Sequence, residues 1–217
     1  MANETQDASD WAGDAEQRLL DEALILAPLQ GWTWPMVRAA GRAIGLSDSE
    51  TELLVPHGPS DLAALLARRH DTVALAALSD PAGLKIRERI RAAVAARLDA
   101  AAADEAAVRR WAGYLALPLN LPLAGRLLWE SADALWRWAG DTATDENHYS
   151  KRAILSGILA SALAIRLSSG REAAMSFVDA RIENVMTYEK WKAGLKAPNL
   201  LQDLAGALGR IRYGKGA

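Results

Sequence analysis

The sequence predicts an all-α fold, and three observations carry that prediction. Just over half of the 217 residues, 51%, are apolar. Long Ala- and Leu-rich stretches place them at helical spacing, and nothing alternates at period two for long enough to make a strand. Gly and Pro divide these stretches into pieces of helical length.

Ten helices are expected. The first covers 14–27, after a polar, acidic lead (1–13) expected to be disordered, and Gly31 closes it. Helices over 33–43 and 47–54 flank Gly45-Leu46-Ser47, and the Pro56-His57-Gly58-Pro59 corner follows. Asp80-Pro81 separates 60–79 from 83–102, and 104–116 ends before Pro118. The helix over 121–139 takes Pro122 in its first turn, where the missing N–H is harmless, and Gly140 just past its end. Ser168-Ser169-Gly170 divides 146–168 from 171–194, and 199–213 follows Lys196-Ala197-Pro198. The expected domains are 14–58, a helix-turn-helix-like unit that does not bind DNA; 59–194, a larger helical body; and 195–217, an amphipathic basic segment.

Composition removes several classes of chemistry. There is no Cys, which excludes disulfides, thiolate metal sites and thiol nucleophiles. Three scattered His are too few for a histidine-built metal site, and Asp145-x-x-His148 is a lone pair, not half of a repeated di-metal motif. No phosphate loop, Gly-x-Ser-x-Gly elbow or His-Glu-x-x-His occurs. The expectation is a protein that is not an enzyme and has no cofactor. No run approaches ~18 uninterrupted apolar residues, and Met1–Asp10 has neither signal-peptide nor transit-peptide character. A soluble cytoplasmic protein is expected on that basis.

Charge is unevenly distributed. Residues 1–66 carry 11 acids and 3 bases, whereas the last 28 carry six bases against Asp203. Three short helices with Ala39-Ala40-Gly41 and Gly45-Leu46-Ser47 make a helix-turn-helix pattern. Its reading helix would be Ser47-Asp48-Ser49-Glu50-Thr51-Glu52, with three carboxylates and no base. Phosphate repulsion argues against nucleic-acid binding.

On a helical wheel of 121–139, Leu121, Leu123, Ala124, Leu127, Leu128, Ser131, Ala134, Leu135 and Trp138 fill almost half the circumference. Arg126, Glu130, Asp133 and Arg137 form a charged stripe opposite, with Trp129 and Trp136 along one edge. A Trp pair beside charges suits a protein-binding hot spot; core packing explains it equally well. In the next helix Ala153, Ser156, Gly157, Ala160, Ser161 and Ala164 make a small-residue face, for close packing within the chain or across a two-fold dimer seam. Leu115, Leu117, Leu119, Leu121 and Leu123, punctuated by Pro118 and Pro122, form an apolar elbow that is either a ligand site or a packed corner. In the tail, Leu200, Leu201, Leu204, Leu208 and Ile211 share one face, with Arg210 opposite and Arg212 nearer the edge. Such a basic amphipathic helix suits an anionic membrane surface.

Several ordered motifs then carry a resemblance. Gly83-Leu84-Lys85-Ile86-Arg87-Glu88-Arg89-Ile90-Arg91, Ala116-Leu117-Pro118-Leu119-Asn120-Leu121-Pro122 and Leu127-Leu128-Trp129-Glu130-Ser131-Ala132-Asp133 resemble the coenzyme-Q-nine family of ubiquinone-biosynthesis proteins. So do Trp136 with Ala139-Gly140-Asp141, Thr144-Asp145, and Arg181-Ile182-Glu183. The resemblance implies a TetR-repressor-like fold without DNA binding. It also implies a lipid-binding accessory protein that presents isoprenoid quinone intermediates to the di-iron demethoxyubiquinone hydroxylase.

Carried over, the partner surface falls on Leu128, Glu130, Asp133, Trp136 and Arg137, beside the Trp129 of the wheel; Arg137 stands where other members often carry Tyr. Lipid contact is expected at Leu115, Leu117, Leu121, Leu128, Leu135, Ile158, Leu159, Phe177 and Met186. The membrane helix is expected over Asn199–Tyr213. The expected partners are an isoprenoid quinone intermediate or phospholipid, the hydroxylase, a membrane surface and a second copy of the chain. The lack of a transit peptide suggests a bacterial member at the inner face of the cytoplasmic membrane. The rival reading is a TetR-like, ligand-responsive transcription regulator.

Overall fold

The computed structural model describes residues 2–142 and 146–195, with side chains described over 11–142 and 148–185. Among these residues the fold is all-α. Its elements are α1 (Ala2–Gln30), α2 (Trp34–Ala43), α3 (Asp48–Leu54), α4 (Pro59–Ala76), α5 (Ile86–Ala102), α6 (Glu105–Leu115), a 3-10 turn (Pro118–Asn120), α7 (Leu121–Trp138) and α8 (Glu146–Leu195). The expected tail helix, with Leu200, Leu201, Leu204, Leu208, Arg210, Ile211 and Arg212, lies outside the described residues, as does the side chain of Met186.

Most helix ends have an identifiable cause. Thr33 caps α2 by accepting from the Met36 N–H. Ser47 and Glu50 form a reciprocal capping box at α3: the Glu50 carboxylate accepts from the Ser47 N–H at 2.8 Å, and Ser47 Oγ accepts from the Glu50 N–H at 3.2 Å. The Ser47 hydrogen bonds also hold the Glu50 carboxyl below its ordinary range. The turn between α2 and α3 closes because Gly41 lets α3 come close: a Cβ there would lie 2.0 Å from Thr51 Oγ1. The loop before α5 runs longer than expected. Asp80 accepts from the Ala82 N–H at 2.9 Å, and Glu88 accepts from the Lys85 N–H at 2.9 Å, so α5 starts at Ile86 and not at 83.

One further expectation changes. The lead taken as disordered, 1–13, is helical from Ala2 onward as part of α1. The helical run α8 breaks at Gly170, at the expected stop signal, with φ +88° and ψ −179°, a conformation open essentially to Gly alone.

The chain divides into two units, residues 1–178 and 179–217. In the first, α1 packs on α2, α4 and α6; α4 packs on α5 and α7; and α7 packs on α5, α6 and the 3-10 turn. A single core cluster runs from Leu19 and Leu20 of α1 through Leu62 and Leu66, then Val108 and Trp111, to Leu127 and Leu167. The helix-turn-helix-like segment and the helices after it therefore share one core. In the second unit, the described residues 179–195 are helical.

One helical segment, His148–Val185, is long and apolar enough by length and composition to cross a membrane (mean hydropathy 1.5), although no uninterrupted apolar run exists. Leu155, Ile158, Leu159 and Ala162 face the protein interior, whereas the small-residue face at Ala153, Gly157, Ala160, Ser161 and Ala164 is exposed. Of that face, Ser156 is half-buried and packs within the first unit, its Oγ donating to the Leu128 carbonyl of α7 at 3.2 Å.

Candidate functional site: an apolar cavity with a polar end

Helices α4–α8 line a cavity of about 350 Å³ whose wall includes the exposed Leu121, Ala160 and Ala164. Ala67 of α4 and Arg97 of α5 form one side, and Trp111, Ala112 and Leu115 of α6 continue it to Ala116. Leu121, Ala124, Leu127, Leu128 and Ser131 of α7 form the next wall, and Ala160, Leu163, Ala164 and Leu167 of α8 complete it. A recess of about 30 Å³ shares Arg97, Trp111, Leu128, Ser131 and Leu163, and adds Leu98 and Leu159. Small residues on α8 and α7 leave this space because Ala side chains cannot fill what facing Leu side chains do not reach.

The lining is apolar apart from Arg97 and Ser131. Arg97 Nε donates to Asp71 Oδ1 at 2.5 Å, and Ser131 Oγ donates to Asp71 Oδ2 at 2.8 Å. Arg97 and Asp71 are only 7% and 8% exposed. Burying such a pair carries a desolvation cost, which hydrogen bonds to the remaining lone pairs reduce; Ser131 supplies one to Asp71, and the Ala67 carbonyl accepts from Arg97 Nη2 at 3.5 Å. Beside it, buried His70 hydrogen-bonds Asp104 through Nε2 at 3.1 Å, leaving Nδ1 without a partner. Burial and the Arg97 charge push the His70 pKa down to about 4, against the pull of Asp104, so the ring is neutral at neutral pH.

Of the side chains expected to contact lipid, the structure brings Leu115, Leu121 and Leu128 to the cavity and Leu159 to its recess. The others are elsewhere. Leu117 is 53% exposed, because the Pro118 turn carries it outward, and Leu135 and Ile158 are buried away from the cavity. Phe177 is half-buried outside the lining. The two ends of the elbow, Leu115 and Leu123, pack on the core, and its middle is an exposed rim, with Leu119 90% exposed.

Sequence reasoning missed Arg97, Asp71 and Ser131 as a group. A signal existed in α5, where Ile90, Ala93, Val94, Arg97, Leu98 and Ala101 share the buried face and Arg97 is its one charged member.

Of the charged stripe of α7, Asp133 lies against α8. Asp133 accepts from Arg152 Nε at 2.6 Å and Arg137 Nε at 2.8 Å. Glu130 lies 3.7 Å from both Arg68 and Arg126. Trp136 Nε1 donates to the Lys151 carbonyl at 3.2 Å while Lys151 Nζ sits 5.3 Å from its ring centroid, and Trp129 lies 6.1 Å from the Tyr149 ring. The two Trp are half-buried, between the core and surface alternatives, and Arg137 is exposed. Asp141 receives Lys151 and Arg152; burial acts to raise its pKa, but these hydrogen bonds outweigh it and hold the carboxyl below its ordinary range.

In the helix-turn-helix-like segment, Arg38 pairs with Glu52 at 2.7 Å and Arg42 with Asp48 at 2.6 Å. The acids of α3 thus serve the fold: two hold α2 and the third caps α3.

This is the architecture of an all-helical protein built around a greasy chamber with one internally neutralised polar end. Residues 121–189, spanning α7 and most of α8, match the family model COQ9. The ubiquinone biosynthesis protein COQ9, mitochondrial, of Bos taurus is 28% identical over 205 residues, covering 88% of this chain and 64% of its own length. Its namesake in Rattus norvegicus is 28% identical over 205 residues, covering 88% and 66%. The ubiquinone biosynthesis protein COQ9-B, mitochondrial, of Xenopus laevis is 27% identical over 190 residues, covering 79% and 62%. Over α7 and most of α8 the chain is thus similar to the COQ9 family, and its relatives extend that similarity along most of its length. The chain spans just under two thirds of the length of these relatives. All three are named as mitochondrial, which overturns the expectation of a bacterial cytoplasmic protein.

Proposed function

We propose that the chain serves ubiquinone biosynthesis as a non-catalytic, lipid-binding accessory protein. In this reading it takes an isoprenoid quinone intermediate from a membrane surface and presents it to the di-iron hydroxylase of the pathway. The cavity is the single observation that carries the lipid-binding part: about 350 Å³, lined by Leu and Ala, within the range of small-molecule sites. The names of the relatives support the pathway. The small residues Ala160 and Ala164, exposed on α8, make one wall an open one through which an apolar tail can pass.

The hydroxylase is assigned to the α7 edge formed by Leu128, Trp129, Glu130, Asp133, Trp136 and Arg137, and the membrane to residues 199–213. A second copy of the chain is assigned to the Ala153 and Gly157 end of the small-residue face of α8, clear of the open wall at Ala160 and Ala164.

Native mass spectrometry of gently purified protein tests the central claim, with retained quinone or phospholipid as the expected result. A protein that is ligand-free and takes up neither from vesicles overturns it. Trp136→Ala is expected to weaken hydroxylase pull-down without loss of helicity; undiminished pull-down removes that edge from the proposal.

A further inference from the structure

We infer that Arg97, Asp71 and Ser131 form a head-group site selective for an uncharged, oxygen-bearing ring, so that the ligand enters ring first. The inference rests on the reading of the cavity as a lipid site and adds what that reading leaves open: the chemistry and direction of the guest.

Three features support it. First, the polar groups are concentrated at one place: Arg97 and Ser131 line both the cavity and the recess beyond it, and the rest of the lining is apolar. Second, they offer both a donor and an acceptor. Arg97 has five N–H groups, of which one goes to Asp71 and one to the Ala67 carbonyl, while Nη1 has no protein partner among the described residues. Ser131 gives its hydroxyl proton to Asp71 and keeps its lone pairs. A ring carbonyl can accept from Arg97, and a phenol can also donate to Ser131. The indole of Trp111 lines both spaces and offers such a ring a face for stacking.

Third, the charge is already balanced. Asp71 neutralises Arg97, and His70 beside them is neutral at neutral pH. A carboxylate or phosphate entering here would leave net negative charge against the buried Arg97–Asp71 pair and an otherwise apolar lining, which is costly. A neutral ring adds none.

The test is calorimetric titration of the full chain at pH 7.5 with three probes sharing one tail: 4-hexylphenol, hexylbenzene and 4-hexylbenzoate. The phenol is expected to bind at least tenfold more tightly than either of the others. Equal affinity for hexylbenzene, or tighter binding of the benzoate, overturns the head-group site while leaving the apolar cavity as a lipid site. Binding of none of the three overturns both. Asp71→Asn unbalances Arg97, so 4-hexylbenzoate is expected to gain at least tenfold in that variant. An unchanged benzoate affinity in a folded Asp71→Asn chain also overturns the site, and the three-probe series on the unaltered chain decides the matter if the variant does not fold.

Discussion

Arg152 donates from Nε to Asp133 Oδ1 at 2.6 Å, and only 2% of Arg152 is exposed. Its Nη1 reaches Asp141 Oδ2 at 3.0 Å. One cation of α8 is thus held by a carboxylate of α7 and another just past the end of that helix. Asp133, which the wheel placed on a partner-facing stripe, is a counter-ion for a buried guanidinium.

Asp133→Ala should therefore destabilise the fold. Removing one partner of a buried pair costs about 3–5 kcal/mol. Asp141 remains to Arg152, so the expected loss is at the lower end of that range, read from urea unfolding. A loss below 1 kcal/mol would show that the pair contributes little to the fold. Trp136→Ala is the cleaner probe of the same edge, because no buried charge depends on it.

Gly41→Ala should be the most damaging single-methyl change in the helix-turn-helix-like segment. The added carbon would lie 2.0 Å from Thr51 Oγ1, so α2 and α3 must move apart. Overpacking of this kind typically costs about 1–3 kcal/mol. Adding Thr51→Ala should recover part of the loss, and thermal unfolding of the single and double variants reads both effects.

His70 should make stability fall on acidification. Its folded pKa is about 4, against an ordinary 6.5. Between those values the unfolded chain binds a proton that the folded chain refuses, so stability rises with pH across that window and is flat in this group above it. The full displacement corresponds to roughly 3 kcal/mol. His70→Gln should remove this component. Denaturant unfolding at pH 4.5 and pH 7.5 in both proteins isolates it from the carboxylates Asp99 and Asp141, whose depressed pKa values act in the same direction.

Ala164→Phe should fill the cavity from α8 without disturbing the core, since Ala164 lines the space and is exposed. The expected outcome is near-native thermal stability with loss of co-purifying lipid. Retention of lipid at the native level would separate the lipid site from this chamber.

The fold was legible where a single stretch of chain decides the outcome. Gly45 and the Gly170 break are local, and each fell where residue type alone placed it. The start of α5 was less legible, because a Glu88 hydrogen bond, not composition, decides the first turn. The cavity was only half visible. Periodicity says which side of a helix turns inward but not what it meets, so Leu135 and Leu128 looked alike on the wheel although only Leu128 faces the space. The polar end was the least visible, because Arg97 and Ser131 lie 26 and 60 residues from Asp71 and meet it only after three helices pack.

The chamber's size limits what it can hold. A cavity of about 150 Å³ holds one benzene, so 350 Å³ corresponds to little more than two such rings. That is a socket and not a sheath: it takes a substituted ring and the opening segment of a side chain, while the remainder of any polyprenyl tail stays outside. Affinity should then be set by the ring, and lengthening the tail by further repeats should leave it unchanged.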